Sequence, residues 1–217
     1  MAQTIEAKAT APDRSFIQKR WFSLFGLVPM GVFVVWHLLS VSKWWSGAAG
    51  YDAMIVASRG SWLQWLGTVL LIGFIAYHAV IGIRLMLKAR VLSPKPTKLL
   101  HWTYILQRVS AIGILLFIPA HVYKAKLSPA LAGTHETFKG MHEAFAVMPE
   151  RWLTLPVYIL GTAGVAYHLA HGLWTASVSF GFAQSAAAQK RMQIVSVVFF
   201  LFLITLAYTS IVVIIRG

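Results

Sequence analysis

Five long apolar stretches constrain the fold of this chain more than any other feature. They run over about 21–41, 62–87, 102–125, 152–178 and 194–215. Each is long enough to cross a hydrocarbon core of roughly 30 Å as an α-helix. Turn and breaker residues separate them, including Ser93-Pro94-Lys95-Pro96 and Ser128-Pro129. We therefore predict an all-α integral membrane protein, a bundle of five transmembrane helices.

The rest of the sequence indicates one transmembrane domain at 21–217 and a tail at 1–20. The tail is charged and contains no apolar segment followed by a small-residue cleavage site, so we expect it to be retained. The whole chain is 58% hydrophobic and 12% charged, whereas soluble domains carry roughly 25% charge. Nothing in the composition indicates a second, soluble domain.

The distribution of basic residues predicts the orientation. The tail and the loops after the second and fourth helices carry Lys8, Arg14, Lys19, Arg20, Arg84, Lys88, Arg90, Lys95, Lys98, Lys190 and Arg191. Acidic residues fall on the opposite side, at Asp52, Glu136, Glu143 and Glu150. Because short basic loops stay in the cytoplasm, we expect the N-terminus inside a bacterial inner membrane and a multi-pass topology. The bilayer thus explains the net charge of +13, and we expect no nucleic-acid partner.

Histidines are the notable polar residues inside the apolar stretches. The first four helices contain His37, His78, His121, and His168 with His171, while the fifth has none. The chain has no cysteine, which excludes thiolate metal sites. A single intramembrane histidine is usually explained by a hydrogen bond to a neighbouring helix. Histidines in four successive helices instead suggest a shared cofactor.

The depths of these histidines match in pairs. His37 and His121 each lie about four residues, or roughly 6 Å, from the outer ends of their helices. His78 and His168 each lie about nine or ten residues, or roughly 14 Å, from the inner ends. We call the first two the outer pair and the other two the inner pair. Paired imidazoles at equal depth predict two bis-histidine b haems, stacked within the first four helices.

Two further patterns bear on this hypothesis. The inner pair shares a motif, Tyr77-His78 with Gly82 and Tyr167-His168 with Gly172, in which glycine one turn on leaves room for a macrocycle or for close helix packing. No Asp or Glu lies within the apolar stretches, which argues against an ion-coupled transporter. Zinc fits poorly, because each depth offers two ligands where tetrahedral zinc takes four.

These residues resemble a known family, the five-helix dihaem cytochrome b anchor subunits of succinate:quinone oxidoreductases, which comprise succinate dehydrogenases and fumarate reductases. The similar segments are 20–33 followed by His37; Tyr77-His78-Ala79-Val80 with Gly82; Leu106-Gln107-Arg108-Val109 with His121; and His168 with Gly172-Leu173-Trp174. The resemblance covers all four histidine-bearing helices.

The resemblance implies a function and partners. A flavoprotein with FAD would carry out the dicarboxylate chemistry, and an iron–sulfur subunit would dock on the cytoplasmic face. This chain would hold no catalytic residue of its own. It would transfer electrons through the inner haem and then the outer haem to a membrane quinone, and the resemblance favours menaquinone as that quinone. The helix that carries His168 lacks the glutamate found in some fumarate reductases, which favours succinate oxidation.

The resemblance also suggests supporting residues. Ser23 and Arg108 lie toward the inner ends of their helices, where each would contact a propionate of the inner haem. The alternatives are a backbone hydrogen bond for Ser23 and snorkelling to the interface for Arg108. His171 is an alternative ligand, or a propionate or quinone contact. Trp44 and Trp45, just outside His37, would border a quinone pocket.

Two other functions fit parts of the pattern. A cytochrome b subunit of a hydrogenase or formate dehydrogenase would keep the haems, but its electron donor usually docks on the outer face. A transporter with histidines along a polar pathway would bind no haem.

Overall fold

The computed structural model describes residues 14–42, 46–57, 61–88 and 98–217. Five helical segments within these ranges are long and apolar enough to span a membrane: Arg20–Val41, Trp62–Lys88, Leu100–Leu131, Arg151–Ser179 and Ala186–Arg216. The predicted all-α fold with five membrane-spanning helices is confirmed. Residues 1–13 of the predicted tail lie outside the described ranges.

The first span consists of two helices, α1 (Arg14–Leu27) and α2 (Pro29–Val41). They meet at Val28 because Pro29 has no amide hydrogen and takes the first position of the second helix, where none is needed. Backbone bonds from Val28 N to Leu24 O (2.9 Å) and from Val32 N to Val28 O (3.0 Å) bridge the junction. The span therefore continues across the junction without a loop.

The other spans contain α4 (Trp62–Lys88), α5 (Lys98–Val122), α8 (Arg151–Ser179) and α9 (Ala186–Arg216). The third span passes from α5 through a π-helical turn, Tyr123–Leu127, into the short α6 (Ser128–Leu131). The third span thus extends beyond residue 125. Pro129 does not end it, because this proline lies in the first turn of α6, where proline is tolerated. The fifth begins before residue 194, since the Ser185 hydroxyl accepts a hydrogen bond from Ala188 N (3.1 Å) and caps α9.

Among the described residues, two shorter helices lie outside the spans, α3 (Gly47–Ala57) and α7 (Phe138–Ala146). No helix was predicted from the sequence in either segment. On α7, Phe138, Met141, Ala144 and Phe145 are buried, which gives this helix one apolar face. That face packs with Tyr51 of α3, Tyr158 of α8 and the last turns of α9, so the outer end of the bundle has its own apolar core.

The fourth span, α8, packs against α1, α5, α7 and α9. A second apolar cluster forms where Ala166 and Leu169 of α8 meet Leu203 of α9. A half-buried hydroxyl reinforces these contacts, since Ser196 Oγ of α9 donates to the Ala170 carbonyl of α8 (2.6 Å). At the inner end, the Arg20 guanidinium lies 5.8 Å from the centre of the Phe180 ring, where α1 begins and α8 ends. Successive spans therefore alternate in direction, which positions the histidines.

Candidate cofactor-binding site

The structure brings the four paired histidines together two by two. In the outer pair, the ring centres of His37 and His121 lie 5.8 Å apart, with an interplanar angle of 74°. In the inner pair, the ring centres of His78 and His168 lie 6.2 Å apart, with an angle of 87°. Residues distant in the chain thus present two imidazoles to each other at two depths of one bundle.

His78 is held against the backbone of α1. Its ring stacks on Phe22, with centres 4.2 Å apart and an angle of 6°, and its Nδ1 lies 3.1 Å from the Phe22 carbonyl oxygen. A carbonyl only accepts, so Nδ1 donates. Gly26 permits this approach, because a Cβ there would overlap the ring. With Nδ1 engaged, Nε2 is the nitrogen available to a metal.

His168 is held by α5 in the same manner. Its Nδ1 lies 3.3 Å from both the Gln107 carbonyl oxygen and Ser110 Oγ. The Gln107 side chain donates in return from Nε2 to the His168 carbonyl (3.2 Å). These contacts again leave Nε2 as the ligand nitrogen. Metal-bound histidines usually donate their other ring N–H to such a partner, which sets the tautomer and the ring orientation.

Aromatic rings surround the outer pair. Phe33 stacks on His37, with ring centres 5.4 Å apart, and Phe117 stacks on His121 at 5.6 Å. Nδ1 of His121 lies 3.1 Å from the Tyr158 hydroxyl, a bond in which either group can donate. When Nδ1 donates, Nε2 is free to bind a metal, as in the inner pair.

The donor set fits a haem. A metal–nitrogen bond of about 2 Å on each side, plus half of each ring, places two axial imidazole centres about 6 Å apart. Both pairs have this separation. Each offers two nitrogens, and within the described ranges no three or more His, Cys, Asp or Glu side chains cluster as a metal site. Two neutral imidazole nitrogens suit a macrocycle, which supplies four further ligands, better than a tetrahedral ion.

The glycines of the shared motif differ in their surroundings. A Cβ at Gly172 would meet nothing within 4 Å, so the described structure leaves open space there. A Cβ at Gly82 would make ordinary contact with the Phe22 ring, at 3.4 Å. Space beside His168 is what a flat macrocycle requires, and close helix packing does not explain Gly172.

The proposed propionate residues lie near the inner pair without a contact that assigns their role. Ser23 is one turn inward of Gly26 on the same face of α1, the face that meets His78. Arg108 follows Gln107, and its guanidinium lies over the ring of Tyr104 on its own helix, 4.3 Å from the ring centre. The roles of Ser23 and Arg108 therefore stay predictions.

The other histidines named above belong to neither pair. His171 stacks on Tyr167, with ring centres 5.7 Å apart, and neither of its buried ring nitrogens has a hydrogen-bond partner among the described residues. His142 connects α7 to α9 through a 2.7 Å bond from Nδ1 to the Ile214 carbonyl. His135 is exposed in the outer loop. Trp44 and Trp45 lie outside the described residues.

Sequence reasoning missed the residues that hold the imidazoles in place: Phe22, Gly26, Ser110, Phe117 and Tyr158. A weak signal existed for Gly26, an isolated glycine inside an apolar helix, which often marks a close approach. Ser110 and Tyr158 are ordinary residues of membrane helices, and no spacing rule connects them to a histidine on another helix.

Comparison with known proteins gives one informative relative. The succinate dehydrogenase cytochrome b558 subunit of Bacillus subtilis (strain 168) is 25% identical to this chain over 189 residues, which cover 87% of this chain and 91% of that protein. No protein-family model matches the chain. The similarity spans all the helices that carry the paired histidines, and it confirms the resemblance of this chain to the cytochrome b anchor subunits of succinate:quinone oxidoreductases.

Proposed function

We propose that this chain is the membrane-anchoring cytochrome b subunit of a succinate dehydrogenase or fumarate reductase. The observation that carries the proposal is the pair of neighbouring imidazoles at each of two depths, about 6 Å between ring centres, in a chain similar to such a subunit along most of its length. In this proposal the chain connects an iron–sulfur subunit to a membrane quinone by electron transfer, and succinate or fumarate reacts on a flavoprotein with FAD.

The four paired histidines would each bind one of the two haems. His78 and His168 hold the inner haem, and His37 and His121 hold the outer one. Each b haem, when bound, supplies reversible one-electron chemistry with no open coordination position. Hydrogen bonds from Nδ1 fix the three imidazoles of His78, His121 and His168 in place. An aromatic ring stacks on one imidazole of each pair, Phe22 on His78 and Phe117 on His121.

The proposed partners follow from charge and orientation. The basic tail and loops support a cytoplasmic inner face, where the iron–sulfur subunit would dock next to the inner pair. The flavoprotein would bind that subunit rather than this chain. The direction we favour is succinate oxidation with quinone reduction, because the helix of His168 places Val165, Ala166 and Tyr167 before its ligand and carries no glutamate.

An open cleft beside the helix that carries His37 is the candidate site for the quinone. It has a volume of about 550 Å³, lies between α2 and α3, and is lined in part by Trp36, Ser40, Ser46 and Met54. Trp36 precedes His37, and Ser40 lies one turn after it. An aromatic ring, a thioether and two hydroxyls match a flat apolar ring with two carbonyl acceptors. We propose that menaquinone binds here.

A ligand substitution tests the proposal. The purified wild-type chain should contain two b haems per polypeptide by pyridine haemochrome assay, and His78→Ala should lose the inner one. Succinate:quinone reductase activity of the assembled complex should fall to background. The matched control is His135→Ala, at an exposed outer-loop histidine, which should keep both haems. Full haem content and normal quinone reduction in His78→Ala would refute the ligand assignment, and a wild-type chain that folds without haem would favour a transporter.

A further inference from the structure

A half-buried carboxyl group lies at the outer end of the bundle and has no role in the proposed function. Glu136 precedes α7, and its Oε1 accepts a hydrogen bond from the Tyr51 hydroxyl of α3 (2.5 Å). Asp52 beside it has a structural task, since its Oδ1 accepts from the Phe138 amide (2.7 Å) at the start of α7. Glu136 is thus the acidic side chain placed among the apolar residues of the outer core.

Tyr158 connects this region to the outer pair. Its hydroxyl bonds Nδ1 of His121, and its ring packs on Phe145 of α7, with ring centres 4.7 Å apart. Tyr158 and Tyr51 belong to the same buried apolar cluster. The charge of Glu136 interacts with both phenols. A change of charge at Glu136 would therefore act on His121 through the two phenols that lie between them.

The surroundings of Glu136 favour its protonated form. Burial raises the pKa of Glu136 above its usual value, and the hydrogen bond from Tyr51 partly offsets this by favouring the carboxylate. The titratable and charged groups facing this region are Tyr51 and Asp52 from α3, Tyr158 from α8 and His121 from α5. On α7, Lys139 pairs with Glu143 (3.9 Å) and His142 bonds the Ile214 carbonyl.

We propose that Glu136 is a redox-linked proton site: it binds a proton from the outer aqueous phase when an electron is added at the outer pair and releases it when the electron leaves. The inference rests on the proposed function, because it requires a haem between His37 and His121. In each molecule where Glu136 becomes protonated on reduction, the balance is one electron from the reductant and one proton from water, with one O–H bond formed on the carboxylate; a coupling of a few fold makes this a fraction of the molecules. Since coupling between two sites is reciprocal, protonation of Glu136 makes reduction at the outer pair more favourable.

The test is a spectroelectrochemical titration of the haem-loaded chain in detergent at a series of pH values. In the wild type, the equilibrium constant for reduction of the outer haem should fall about fivefold as pH rises through the pKa of Glu136, at the lower end of the usual range for coupled sites. Glu136→Gln still accepts from Tyr51 but cannot titrate, so its constant should not change with pH. The inner haem serves as an internal reference in every sample.

Two further variants sharpen the test. Tyr51→Phe removes the bond that favours the carboxylate, so the pH dependence should move to higher pH. Glu143→Gln removes an exposed carboxylate of α7, the helix that follows Glu136, and should behave as wild type. If Glu136→Gln and Tyr51→Phe both keep the wild-type pH dependence with two haems bound, the inference is wrong while the proposed function stands. If the wild type binds no outer haem, both fail, and haem content measured on the same sample separates the cases.

Discussion

The contact between α1 and His78 makes Gly26→Ala the most discriminating perturbation of the inner pair. A Cβ at residue 26 would lie 2.6 Å from His78 Nδ1 and would overlap Cε1. The ring cannot easily move aside, because it is stacked on Phe22 and bonded to the Phe22 carbonyl. Overpacking of this kind costs about 1–3 kcal/mol. At 1.4 kcal/mol per factor of ten, the affinity of the inner site for haem should fall about 5- to 150-fold.

The assay is haem content per polypeptide as free haemin is diluted, with a reduced-minus-oxidised spectrum to identify the haem that is lost. The inner haem should dissociate at haemin concentrations that leave the outer haem bound. Gly73→Ala is the matched control, since it lies on the helix of His78 and a Cβ there would meet nothing within 4 Å. Wild-type affinity for both haems in Gly26→Ala would refute the placement of α1 against His78.

Three other outcomes are expected. Gly161→Ala would overlap the Phe117 ring that stacks on the outer pair, so it should weaken the outer haem and spare the inner one in the same assay. Ser42→Ala should lower the free energy of unfolding by about 0.5–1.5 kcal/mol in a denaturant titration, because it breaks a buried 3.0 Å bond to Ser210, which keeps its bond to a carbonyl of its own helix. Because the pKa of Glu136 is raised in the folded chain, the folded chain binds more protons at this residue than the unfolded chain does. The stability that Glu136 contributes is therefore lost as pH rises from 4.5 through the raised pKa. Glu136→Gln should flatten that part of the curve of unfolding free energy against pH.

The span count and the candidate ligands could be predicted because they depend on local properties of the chain. Apolar length predicts a membrane helix, and helical rise converts sequence position into depth. That was enough to group His37 with His121 and His78 with His168, and the structure brings the rings of each pair together, steeply inclined to each other. Their role as haem ligands is the proposal that the haem assay tests.

Other features depended on how the helices rotate and pack. No helix was predicted at α7, which lies between two of the apolar stretches, yet its apolar face completes the outer core against α8 and α9. Likewise, no local pattern shows that Glu136 would meet Tyr51, since the two lie 85 residues apart in the chain.

The sequence by itself therefore determined that the chain folds in a membrane, how many spans it has and how far along its helix each histidine lies. Only the tertiary structure decided which groups hold three of the four imidazoles: the Phe22 carbonyl for His78, Ser110 and Gln107 for His168, and Tyr158 for His121. The reason is physical, since hydrophobicity and rise are summed along one helix, whereas a hydrogen bond requires the rotation and approach of two.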